Sequence, residues 1–166
     1  MADGDVPPKL LVRLRAICAK LPEAYEEQAW VGTRFMIAKR NFAHVLQINA
    51  GFPPAYARAA QSQGPLTVLT FRATDLLCDA LCAQGPRFFR AIWGTRWQTQ
   101  VVGLKLTGRI DWPEIEALLR ESYLLLAPKK LSARASARGR RGSDRGRTRS
   151  RAGRRAGRRS PLGTAR

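Results

Sequence analysis

Basic side chains are the one chemistry-bearing group this chain holds in quantity. It has 30 Lys and Arg against 12 Asp and Glu, one His and three Cys, in 166 residues. Catalysis or metal binding needs imidazoles, thiols or carboxylates at short spacing. Cys78 and Cys82 are one helical turn apart, but they share an apolar stripe with Leu77 and Leu81 and read as core thiols. His44 sits within an alternating, strand-like run, which reads as a hydrogen-bonded, half-buried imidazole. No local signature joins it to a cysteine as a nucleophile pair. Asp75 and Asp79 read as a solvated helix face, and Glu23, Glu26 and Glu27 as a cluster in the loop after the first helix. There is no phosphate-binding glycine loop and no nucleophile elbow. The expectation is a non-enzyme with no catalytic residue, metal, cofactor or small-molecule substrate.

Cations in such number point to phosphate. Residues 129–166 contain 13 Arg and 2 Lys against one acid, Asp144, and so carry +14 of the formal +18. Arg134, Arg138, Arg140, Arg141, Arg145, Arg147, Arg149, Arg151, Arg154, Arg155, Arg158 and Arg159 alternate with Gly, Ser and Ala, with no aromatic or branched aliphatic residue from 134 to 159. Such a segment has nothing with which to build a core, and its like charges repel, which predicts disorder. Its natural counter-surface is a polyanion. Residues 1–128 hold 15 bases and 11 acids, an ordinary balance. Within them Arg34, Lys39 and Arg40 bracket a predicted strand hairpin, and Lys105 and Arg109 border another strand. Arg87, Phe88, Phe89, Arg90, Trp93, Arg96 and Trp97 mix bases with aromatics, which serves phosphate contact and base stacking. Inward packing is the favoured reading for Phe88, Phe89 and Trp93.

The elements that must position these residues follow from periodicity. Leu10, Leu11, Leu14, Ile17, Cys18 and Leu21 mark a first helix after Pro7-Pro8. Strands are predicted over 28–31, 33–38 and 42–49, with Phe42, His44, Leu46 and Ile48 on one face. A short helix over 55–60, a strand over 66–71 and a helix capped by Thr74 come next. Residues 87–100 resist assignment, and 101–106 are a strand. Asp111 opens the last helix as a capping box with Glu114; Ile115, Leu118, Leu119, Ser122 and Leu126 face inward. Pro128 marks the boundary between a domain at 1–128 and a tail at 129–166. The grouped strands predict an α+β fold with an antiparallel sheet, in the order helix, three strands, helix, two strands, helix. The N-terminal segment lacks the apolar run of a signal peptide, and no stretch is long enough to span a membrane. Three cysteines without an export signal predict reduced thiols in the cytoplasm.

Several runs resemble the YjbR/MmcQ family: Leu21-Pro-Glu-Ala-Tyr-Glu-Glu-Gln-Ala-Trp30, Gly32-Thr-Arg-Phe35, Asn41-Phe-Ala-His-Val45, Gly103-Leu-Lys-Leu106, Asp111-Trp-Pro-Glu-Ile115 and Glu121 to Leu131. The resemblance covers about residues 9–131. It implies an α+β fold related to CyaY-like and secretion-chaperone-like folds. It also implies a DNA-binding label, resting on a proposed double wing of strand hairpins, with DNA favoured over RNA. Carried over, the wing candidates are Arg34, Lys39 and Arg40 on one hairpin and Lys105 with Arg109 on the other. Lys39-Arg40 stands where many members have Gly-Lys, which argues against a tight glycine turn, and the Arg-rich tail lies outside the family domain. The functional expectation is a DNA-binding protein using a basic body surface and the tail. The alternative is a protein-interaction module with an incidental tail.

Overall fold

The computed structural model describes residues 5–93 and 99–137. Helix α1 (Pro8–Cys18) leads into strands β1 (Tyr25–Gln28), β2 (Thr33–Ile37) and β3 (Arg40–Ile48). Helix α2 (Pro54–Ala60), β4 (Leu66–Ala73), α3 (Asp75–Cys82), β5 (Phe88–Arg90), β6 (Gln100–Lys105) and α4 (Trp112–Leu126) follow. A last helix, α5, spans 129–137. The strands form one antiparallel sheet in the order β1-β2-β3-β4-β6-β5. The fold is therefore α+β, as the grouped strands predict.

Local chemistry starts the later helices where expected. The Thr74 hydroxyl accepts from the Leu77 amide at 3.2 Å, and Asp111 accepts from the Glu114 amide at 3.1 Å. The capping box is only half formed, because the Glu114 carboxylate pairs with Arg87 instead of reaching back.

One sheet face carries the main core. Phe35, Ile37, Val45, Leu69, Phe71, Val102 and Leu104 pack against Leu14 and Ile17 of α1, Cys78 and Leu81 of α3, and Ile115, Leu119, Tyr123 and Leu126 of α4. On the other face α2 covers one part, where Leu46, Ile48, Leu66, Val68 and Phe89 meet Ala57 and Ala60.

Four expectations from the sequence need correction. The first strand is Tyr25–Gln28, not 28–31, so Glu26 and Glu27 lie in a strand and not in a loop. It is an edge strand with every residue exposed, so it carries no apolar alternation to read. Second, Phe42 does not share a face with His44. Ala43 pairs with Phe35 but Asn41 pairs with Met36, so Phe42 is the extra residue of a β-bulge. The bulge turns Phe42 into the helix-side core, edge-on to Tyr123 at 5.7 Å between centroids.

Third, the β2–β3 turn is tight without glycine: Ala38 (φ 47°) and Lys39 (φ 61°) both adopt left-handed backbone. Fourth, the folded body does not stop at Pro128. Leu131 and Ala135 of α5 are buried in the main core, and the Arg120 guanidinium donates to the Ala135 carbonyl at 3.1 Å. These two apolar side chains, four apart, give α5 a buried face that the surrounding charge hides from a compositional reading. The segment left unassigned contains β5, and Phe88 and Phe89 point inward.

Candidate functional site

The part of the second face that α2 leaves uncovered is polar. Directly paired residues across an antiparallel sheet project to the same side. One such row runs Glu27, Arg34, His44, Thr70, Gly103 and Phe89 across five ladders. The Phe89 ring lies flat over Gly103, where a Cβ would collide with it, and so closes the row on the α2 side. Beyond the row, Asn41 and Arg72 face the same way. Arg34, His44 and Thr70 of the row, with Asn41 and Arg72, floor a cavity of about 550 Å³, walled by Trp30 and Val31 from the β1–β2 turn, Tyr56 from α2 and Trp93 after β5. Gly32 (φ 73°) sets that turn. Its backbone lies against the Val45 carbonyl with no room for a side chain, and this brings Val31 over His44.

The bulge at Phe42 shapes the floor. It ends the β3–β4 ladder at the Ala43–Phe71 pair, which leaves the Phe42 carbonyl and the Arg72 amide without strand partners. The Ser122 hydroxyl of α4 replaces them, accepting from the Arg72 amide at 2.7 Å and donating to the Phe42 carbonyl at 2.5 Å. A lone serine on an otherwise apolar helix stripe was the sequence signal for this contact.

His44 is fully engaged. Its Nε2 lies 2.7 Å from the Val31 carbonyl, which can only accept, so Nε2 carries the proton. Nδ1 then accepts from the Tyr56 hydroxyl at 3.0 Å. Burial lowers the His44 pKa and the Arg34 charge lowers it further, against the Val31 hydrogen bond. The ring is therefore neutral and acts as a spacer that fixes Tyr56. Burial raises the Tyr56 pKa, and Trp93 hydrogen-bonds the same hydroxyl.

Two buried polar atoms in this floor have no partner: Nε of Arg34, a donor, and Oδ1 of Asn41, an acceptor. The outer Arg34 nitrogen donates to Glu27 at 2.7 Å. Arg72 Nε reaches the Asn41 carbonyl at 3.5 Å. Among the described residues no carboxylate lines the cavity. Two guanidiniums, an amide and three aromatic walls can hold an anion attached to a ring.

The basic residues singled out from the sequence do not form one surface. Arg34 lies in the cavity. Lys39 is exposed in the turn, and Arg40 donates to the Leu126 carbonyl at 3.2 Å, at the C-terminal end of α4. Lys105 pairs with Val68 in the row of Leu46, six positions along β3 from Arg40, or about 20 Å. With Arg109 it lines a second cavity of about 260 Å³ that also holds Asp111 and Glu114. Arg134 in α5 pairs with Glu23 at 3.4 Å. The arginines from Arg138 to Arg159, with Arg96 and Trp97, lie outside the described residues. Sequence reasoning missed Asn41, Tyr56 and Arg72 as site residues: Asn41 only opens one of the runs that carry the family resemblance, and Tyr56 and Arg72 sit among ordinary helix and strand residues.

Cys18, Cys78 and Cys82 are free thiols. Burial and the nearby Glu26 push the Cys18 pKa up to about 12, and burial with Cys82 alongside pushes Cys78 up to about 11. Among the described residues no His, Cys, Asp or Glu cluster could hold a metal ion, and no helix is long and apolar enough to cross a membrane.

A search of curated proteins and one of solved structures returned no match to this chain. The model of the YjbR family matches residues 19–125, from the end of α1 to the last turn of α4, and so takes in every strand and the whole cavity floor. With nearly two thirds of its length matched, the chain belongs to the YjbR family.

Proposed function

We propose that the chain is a non-enzymatic nucleic-acid-binding protein of the cytoplasm, in which the arginine-rich C-terminal segment supplies most of the affinity. The observation that carries this is the partition of charge. Residues 138–166, past the end of the folded body, hold 12 bases and one acid. Residues 1–137 set 18 bases against 11 acids, and several are ion-paired: Arg15 with Glu26, Lys20 with Glu116, Arg34 with Glu27, Arg87 with Glu114 and Arg90 with Asp79. A polyanion therefore meets its strongest counter-charge in the tail. Duplex DNA is the favoured partner, from family membership. The non-enzymatic reading draws on His44, whose two nitrogens are both committed to hydrogen bonds. The cytoplasmic reading draws on three unpaired cysteines.

The test is a titration of the full chain, and of a chain ending at Ala137, with duplex DNA and single-stranded RNA at about 50 and 200 mM salt. If the tail engages ~6–10 phosphates, affinity should fall roughly 10³–10⁵-fold over that range. Truncation should flatten the salt slope far more than it changes sequence preference, because the tail has no aromatic group to stack on a base. Residual preference should fall when Lys39 is replaced by Ala in the truncated chain. Equal affinity and slope for the two chains would overturn the proposal.

A further inference from the structure

We infer that the cavity above β2, β3 and β4 is a binding site for a small aromatic anion: one flat ring, a carboxylate or phosphate, and a hydrogen-bond donor near it. The inference is independent of the tail and of the polyanion reading. Three observations meet at this place. The first is volume: about 550 Å³ lies within the range of small-molecule pockets. The second is charge. Arg34 and Arg72 both border the cavity, and among the described residues no Asp or Glu does. Glu27 binds Arg34 through the outer guanidinium nitrogen, which leaves Nε directed elsewhere.

The third observation is the pair of unmet buried groups. A buried donor or acceptor left without a partner costs about 1–3 kcal/mol, so native interiors keep few of them. Here two occur together, one donor and one acceptor, on side chains that both line the same cavity. A ligand toward which the two side chains turn would satisfy both, with an anionic oxygen for Arg34 Nε and an N–H or O–H for Asn41 Oδ1. A bare inorganic anion fills neither the volume nor the apolar walls.

Those walls define the rest of the ligand. Trp30, Tyr56 and Trp93 present aromatic surface, and a ring between them gains stacking or edge contacts. Tyr56 is held in place by its hydroxyl, which donates to a neutral His44 that is itself tied to Val31. The wall is thus set before any ligand arrives, which lowers the ordering cost of binding. Trp30, 87% exposed and edge-on to Phe52 at 5.3 Å, stands at the mouth.

The test uses the full chain at about 0.15 M ionic strength, where exposed charges beyond about 8 Å are screened. Calorimetry and tryptophan fluorescence follow titration with the four common nucleoside 5′-monophosphates, 4-hydroxybenzoate and indole-3-acetate. The neutral nucleosides, phenol, indole and inorganic phosphate are the comparators. At least one ring anion should bind one-to-one, about tenfold or more tighter than both its neutral ring and inorganic phosphate. Success among the phosphates alone, or the carboxylates alone, tells which anionic group the two arginines take.

Arg34→Met and Asn41→Asp should each weaken that binding about tenfold or more. Because a floor substitution can also disturb the fold, Trp30→Ala is the second arm: it should weaken binding with the melting temperature unchanged. Anion binding by tail arginines would instead be many-to-one, indifferent to the ring and untouched by these three variants. That pattern, or no saturable binding of any ring anion at millimolar concentration, would overturn the inference. Either result leaves the DNA titration of the tail to be judged separately.

Discussion

The two faces of the sheet are built from the same strands, residue by residue in alternation, yet they do opposite things. The helix-side face is closed by α1, α3, α4 and α5 around fully buried Leu14, Ile37, Leu69, Leu119 and Tyr123. Its few polar groups are matched, as where the Tyr123 hydroxyl donates to the Pro22 carbonyl at 2.7 Å. Among the described residues the opposite face has one seven-residue helix over it, and α2 packs on the Leu46–Val68 part. The remainder keeps two arginines, an asparagine and a histidine around open volume. Apolar burial holds the first face together; the second keeps polar groups that a packed core would exclude. A fold that carries its stability on one side of a sheet can leave the other side shaped for a ligand.

The sharpest test of that division is a pair of truncations. Leu119→Ala, at a fully buried position of α4, should cost about 2–5 kcal/mol in chemical denaturation. Trp30→Ala, on the rim of the open face, should cost less than about 1 kcal/mol. Equal costs would erase the distinction between a structural and a ligand-facing side.

Ser122→Ala comes next, because it probes the one place where the helix side props up the floor of the open side. The change leaves the buried Phe42 carbonyl and Arg72 amide without their partner, for a loss of about 2 kcal/mol. It should also broaden the Arg72 amide resonance or speed its hydrogen exchange. A neutral Ser122→Ala would mean that water or a backbone shift closes the bulge as well as the hydroxyl does.

Lys39→Gly touches neither face and serves as a control. Lys39 holds a left-handed backbone (φ 61°) that glycine adopts without steric cost, so the variant should be more stable by about 1 kcal/mol. Loss of stability would mean that the lysine side chain makes a contact worth more than the backbone strain.

The smallest effect expected is one of acidity. His44 is held neutral, with its pKa below the ordinary 6.5, so on acidification the unfolded chain takes up a proton before the folded one. The stability tied to neutral His44 is complete above about pH 6.5 and is lost as the pH falls through the folded-state value. His44→Gln should remove that component, so the gap between the two chains narrows from about pH 7.5 to 5.5. A gap independent of pH would show that His44 titrates alike in both states.

What the sequence determined by itself was whatever depends on local period and composition. The helix stripes of α1 and α4, the caps at Thr74 and Asp111 and the pairing of β2 with β3 follow from residues within a dozen positions of each other, and the structure has them. The order of motifs from Leu21 to Leu131 was likewise enough to mark the family, whose model matches residues 19–125. Tertiary structure decided everything that depends on which groups end up without a neighbour. One extra residue at Phe42 reversed a side chain's face, because a bulge shifts the strand period by one, and no composition reports that. The apolar pair Leu131 and Ala135 extended the body past Pro128 because a groove existed to receive it. Arg34, Asn41 and Arg72 come from three separate positions on adjacent strands, and only sheet register sets them around one cavity. Burial and unmet hydrogen bonds are properties of that assembled surface, so a site defined by them has no signature along the chain.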